Sequence, residues 1–90
     1  MKTLRLATAF KKDLKRTTKR GYDRSLLEAV VDTLRRGDPL PAARRDHPLK
    51  GEWHGWRDCH IEPDWILIYR IDGDELLLAR TGTHADLFDN

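Results

Sequence analysis

Ninety residues make one domain, residues 1–90, and the single cysteine, Cys59, excludes an intramolecular disulfide and predicts a cytoplasmic setting. Apolar residues are 39% of the chain and charged residues 36%, and no apolar run reaches the length of a membrane span. The formal net charge of +2 conceals a split: residues 1–50 hold 14 Lys/Arg against 6 Asp/Glu, net +8, while residues 51–90 hold 3 against 9, net −6. A basic half suits contact with a polyanion such as RNA, and equally suits a solvated helix face.

Residues 3–7, Thr3 to Ala7, alternate and predict a short strand. Residues 4–10, with Arg5 among them, are too short and too charged for a secretory leader. Thr8 is a candidate cap for a helix running to about Lys19 or Arg20. On that helix Phe10 and Leu14 are expected inside and Lys11, Lys12, Lys15, Arg16, Lys19 and Arg20 mostly outside, with Gly21 stopping it. Asp23 caps a second helix whose apolar residues, Leu26, Leu27, Val30, Val31 and Leu34, keep helical spacing until Gly37 and Pro39. Residues 38–54, with Pro39, Pro41, Pro48 and Gly51, read as an irregular loop of functional length. Strands follow at roughly 55–62, 64–71 and 75–81, separated by turns at Pro63 and at Asp72-Gly73. The apolar run Trp65-Ile66-Leu67-Ile68-Tyr69 marks a central strand. The expected architecture is α+β, a helix hairpin covering one face of a sheet.

Chemistry concentrates in the second half. RNA can be cut without a metal when a base takes the ribose 2′-OH proton, an acid protonates the leaving 5′-oxygen and a cation offsets charge on the phosphate. His47, His60, Asp64, Arg80 and His84 supply those types. Strand alternation puts Trp56, Asp58 and His60 on one face and Arg57, Cys59 and Ile61 on the other. His47, Cys59, His60 and His84 are also metal-ligand types. No CxxC or HxxxH spacing occurs, however, and Cys59 and His60 point to opposite faces, so neither metal nor cofactor is expected. By themselves these residues describe a basic α+β domain suited to RNA.

The order of the residues adds a resemblance. Asp46-His47-Pro48-Leu49-Lys50-Gly51, Trp53, Gly55, Arg57-Asp58, His60 and the run Glu62 to Arg70 resemble the YafQ branch of the RelE/ParE toxin superfamily, as do Arg80-Thr81-Gly82-Thr83-His84 and Leu87-Phe88. That resemblance implies a RelE-like fold, with two N-terminal helices on a small twisted, mainly antiparallel sheet. It implies a type II toxin that cleaves mRNA in the A site of the 70S ribosome by 2′-OH attack. It also implies a cognate antitoxin, of ribbon-helix-helix type in this branch. Carried over residue by residue, it makes His84 the main acid/base group. Asp64 and His60 activate or orient, His47 touches the phosphate or shares proton transfer, and Arg80 stabilises charge. Phe88 stacks on a base, and Asp58 and Trp65 complete the site. Lys11, Lys12 and Lys15 are assigned to ribosomal RNA on charge rather than on resemblance. The departures are Trp56 for an expected tyrosine, Cys59 for a small residue, and the acidic extension Asp89-Asn90. The alternative within the superfamily is a non-enzymatic toxin of the ParE type that acts on DNA gyrase; the histidines favour the enzyme.

Overall fold

A five-stranded sheet, ordered β1-β5-β4-β3-β2, organises the computed structural model, which describes residues 1–88. Its strands are β1 (Thr3–Leu6), β2 (His47–Pro48), β3 (Arg57–Glu62), β4 (Trp65–Asp72) and β5 (Glu75–Gly82). Three helices join them: α1 (Thr8–Lys19), α2 (Arg24–Arg36) and the short α3 (His84–Phe88). All pairings are antiparallel except β1 with β5. The extension Asp89-Asn90 lies outside the described residues.

The predicted elements recur with small corrections. Ala7, not Thr8, occupies the N-cap of α1 and makes no side-chain cap, so Thr8 already lies in the first turn. Asp23 does cap α2, accepting from the Ser25 N–H, and Gly37 closes that helix in the left-handed conformation that costs other residues strain. The second hairpin turns on Gly73-Asp74, because Asp72 still pairs with Glu75 at the end of β4. The expected loop contains a two-residue strand, His47-Pro48, paired with β3, and short 3-10 turns at Ala42–Arg44 and Gly51–Trp53. The segment after Thr83 forms α3, where only a tail was expected.

Residues Trp65 to Tyr69 are buried on both sides, as their unbroken apolar run requires. Trp65, Leu67 and Tyr69 face the main core, where α1 contributes Phe10 and α2 contributes Leu27, Val30, Val31 and Leu34. Each such buried side chain stabilises by about 1.5–3 kcal/mol, so both helices are held by the sheet more than by helix propensity. Ile66 and Ile68 face the other way, with Ala79, under partial cover from Leu49, Trp53, Trp56, Leu87 and Phe88. That second face is the half-open one. Leu67→Ala, in a side chain with no exposure, should cost about 2–5 kcal/mol in urea unfolding, whereas Ile71→Ala, 44% exposed, should cost under about 1 kcal/mol.

Candidate active site

Sheet register assembles the half-open face. Residues opposite one another across antiparallel strands share a face. His47 pairs with Asp58, Asp58 with Ile68, and Ile68 with Arg80, so His47, Asp58 and Arg80 lie in one row across the sheet. His60, Ile66 and Gly82 make the next row. Arg80 joins this face only because of a bulge. Simple alternation from Leu76 and Leu78 would send it toward the helices, but Tyr69 pairs with Leu78 and Ile68 with Arg80, leaving Ala79 as an extra residue.

Three of the four histidines, His47, His60 and His84, have Nδ1 against an oxygen. His84 Nδ1 lies 2.7 Å from Asp64 Oδ1, which also accepts the His84 backbone N–H at 3.0 Å. His60 Nδ1 lies 3.2 Å from the Pro63 carbonyl, and His47 Nδ1 lies 2.7 Å from the Arg45 carbonyl. Carbonyls and ionised carboxylates only accept, so Nδ1 carries the proton in every case and Nε2 is left for chemistry. Arg45 is held at φ 51°, a left-handed conformation unusual for a side-chain-bearing residue, and its carbonyl is the one that holds His47. The His60 and His84 rings meet edge to face at 5.5 Å, and Phe88 lies 6.3 Å from His84.

The carboxylates divide by environment. The backbone N–H of His84, then its imidazole, holds the Asp64 carboxyl below the usual carboxylate range. Burial pushes the Asp58 carboxyl up, and the neighbouring imidazoles of His47, His60 and His84 oppose that shift. Asp58 Oδ1 is 3.0 Å from His47 Nδ1, yet the N–H is aimed at Arg45, so this contact is an ion-pair approach rather than a formed hydrogen bond. Asp46 accepts from the Tyr69 hydroxyl at 2.5 Å and from Arg57 Nε at 3.1 Å, anchoring the chain just before His47. Burial raises the Cys59 thiol to about 12, leaving it inert at neutral pH.

Other expected residues are placed differently. Trp65 is 2% exposed on the helix side, donates Nε1–H to Thr81 Oγ1 and packs edge-on against Tyr22, so it supports the sheet and cannot touch a substrate. Asp58, 4% exposed, sits beneath His47 rather than on the surface. Lys11, Lys12 and Lys15 are exposed on α1, as expected. Arg16, expected outside, is half-buried and pairs with Asp13 at 2.8 Å. Arg80 pairs with that same Asp13, through Nε at 2.6 Å and Nη2 at 3.1 Å, which leaves Nη1 outside this pairing. Asp13 escaped the sequence reading although the signal existed: Phe10, Asp13 and Thr17 keep the spacing of one buried helix face. Among the described residues no group of three or more His, Cys, Asp or Glu side chains is arranged to hold a metal ion.

The histidines and aspartates of this face are groups suited to acid-base chemistry, and comparison with known proteins supplies the assignment. Residues 2–89 match the family described as the YafQ bacterial toxin of type II toxin-antitoxin systems, and the chain belongs to that family. A relative named mRNA interferase toxin YafQ, from Escherichia coli K12, is 49% identical over 80 residues, covering 88% of this chain and 87% of that protein. A copper-bound toxin variant from Helicobacter pylori superposes with a TM-score of 0.93 at 44% identity, over 98% of this chain and all of that one. The toxin of the Escherichia coli DinJ-YafQ complex superposes at 0.89 with 44% identity, over 98% of this chain and 99% of that one.

The site also predicts an acid limb of stability. Asp64 and Asp86 titrate below their ordinary values in the folded state. Their contribution is therefore complete above the unfolded pKa of about 4 and is lost as pH falls through the folded values. Asp58, shifted upward, works in the opposite sense. Melting temperature measured from pH 6 down to pH 2 should fall steeply in the wild type and less steeply in Asp64→Asn and Asp86→Asn.

Proposed function

We propose that this toxin is a ribosome-dependent mRNA interferase, working in the cytoplasm and neutralised by a cognate antitoxin of the ribbon-helix-helix type. The observation that carries the reading is the trio of histidines with Nδ1 pinned and Nε2 free, one of them backed by an ionised aspartate. Its named relative and the toxin-antitoxin complex of a close structural neighbour support it.

In this mechanism His84 Nε2 takes the proton of the ribose 2′-OH, and Asp64 stabilises the imidazolium that results. The 2′-oxygen attacks phosphorus, the bond from phosphorus to the 5′-oxygen breaks, and that oxygen leaves with the Nε2 proton of His47 or His60, whichever acts in its imidazolium form. The products are a 2′,3′-cyclic phosphate and a 5′-hydroxyl. Arg80 Nη1 offsets charge on the phosphoryl oxygens, and Phe88 stacks against a base. Asp58 supports His47 from beneath. Every proton and electron pair is carried by side chains and RNA, so we assign the reaction no metal.

Single-turnover cleavage on ribosomes pre-loaded with mRNA should drop about 10²- to 10⁴-fold in His84→Ala. It should leave 5′-hydroxyl ends and persist with a transition-metal chelator that spares ribosomal magnesium. Wild-type speed in soluble His84→Ala, or activity lost to the chelator and restored by zinc or copper, would each refute part of the mechanism. Growth arrest with intact mRNA and poisoned gyrase would refute all of it.

The basic helix supplies a second measurement. The exposed lysines of α1 suit phosphate contacts, which give affinity and salt dependence without taking part in the cut. Replacing Lys11, Lys12 and Lys15 with Gln should weaken ribosome binding and flatten its salt slope while leaving saturated single-turnover cleavage nearly unchanged. An unaltered slope would mark these lysines as a solvated face.

A further inference from the structure

We propose that Asp86, clamped by Arg20, is a positioning residue that aligns α3 so that His84 meets Asp64. The proposal rests on the reading of His84 as the acid/base group. Its starting point is that α3 spans only His84–Phe88, too short to hold its own shape.

Two devices compensate. Thr83 and Asp86 cap one another: the Thr83 N–H donates to Asp86 Oδ2 at 3.0 Å, and the Asp86 N–H donates to Thr83 Oγ1 at 3.1 Å. Arg20, at the end of α1, then grips the same carboxylate with Nη1 on Oδ2 at 2.7 Å and Nη2 on Oδ1 at 3.3 Å. Arg16 approaches Oδ2 at 3.9 Å, and the Asp86 side chain is only 14% exposed. The strand end is shaped to receive it, because a Cβ on Gly82 would fall 2.8 Å from Asp86 Oδ2. The Arg20 guanidinium keeps the Asp86 carboxyl far below the usual range, so the pair stays charged at neutral pH.

His84 is thus fixed from two sides. Asp64, on the turn between β3 and β4, takes its backbone N–H and its Nδ1–H. Asp86, two residues on, ties the same turn of helix to α1, and α1 is itself tied to β5 through Asp13. Releasing the Asp86 anchor lets α3 fray and lets the imidazole swing away from Asp64. An error of about an ångström in such a group costs on the order of 100-fold in rate.

The test compares Asp86→Ala, Asp86→Asn, Arg20→Ala and Arg20→Lys with the wild type in two measurements. Imidazole nitrogen NMR of the free toxin reads the His84 tautomer and its bond to Asp64. Single-turnover cleavage at saturating toxin, beside ribosome affinity, separates the chemical step from docking. Asp86→Ala and Arg20→Ala should mix the His84 tautomers and slow the cleavage step about 10- to 100-fold with affinity nearly unchanged. Arg20→Lys should restore most of the rate. Asp86→Asn, which keeps an acceptor but loses the charge, should be intermediate in rate. Wild-type spectra and rates in both alanine variants would overturn the proposal. So would an Arg20→Ala that loses ribosome affinity at an unchanged saturated rate, since Arg20 would then be a phosphate contact. If the wild type itself cuts no mRNA on ribosomes, the reaction reading fails and the His84 spectra alone decide the positioning.

Discussion

Where β1 ends at Leu6, its parallel pairing with β5 ends at Leu78, and the edge of β5 beyond that point would expose unsatisfied backbone groups. Asp13 of α1 fills the gap. One buried carboxylate takes the Thr81 N–H at 3.1 Å and the Arg80 guanidinium at 2.6 and 3.1 Å, while Arg16 supplies a further positive charge at 2.8 Å. A carboxylate this buried is tolerable only because it is paired and hydrogen-bonded on both oxygens. The contact fixes α1 against the sheet, sets the direction of Arg80, and holds the strand end from which α3 and His84 depart.

The sheet is covered unequally, and the proposed site lies on the less covered face. On the helix side, residues of α1, α2 and β4 form a continuous core. On the other side a loop and a five-residue helix leave a row of histidines at the surface, with Ile66, Ile68 and Ala79 as a firm floor. Arg57, Asp46 and Tyr69 tie the loop down, and Arg44 donates to the Ile61 carbonyl at 2.6 Å where the β3 edge is left uncovered by β2. Histidines carried on a rigid floor, each with one nitrogen already committed, need little reorganisation to act as acids or bases. Protonation states follow from the same geometry: Asp64 is at the surface and hydrogen-bonded to His84, so it stays ionised, whereas Asp58 is buried and resists ionisation.

Periodicity, caps and composition in the amino-acid sequence were sufficient for the two long helices, the three long strands and the central run at β4, because each depends on local spacing and on one apolar face. The candidate site residues His47, His60, Asp64, Arg80 and His84 were singled out by their residue types and by a resemblance in their order along the chain, not by local periodicity. What the tertiary structure decided is how they meet. The Ala79 bulge turns Arg80 from the helix side to the site side, Trp65 goes into the core, and the partner of Arg80 proves to be Asp13, 67 residues away. The short helix bearing His84 exists because Thr83, Asp86 and Arg20 converge on it, which no window of a few residues contains in full. Local spacing determines elements; register shifts, edge closure and charge pairing between distant segments are settled only when the elements pack, since their energies depend on burial and on neighbours far along the chain.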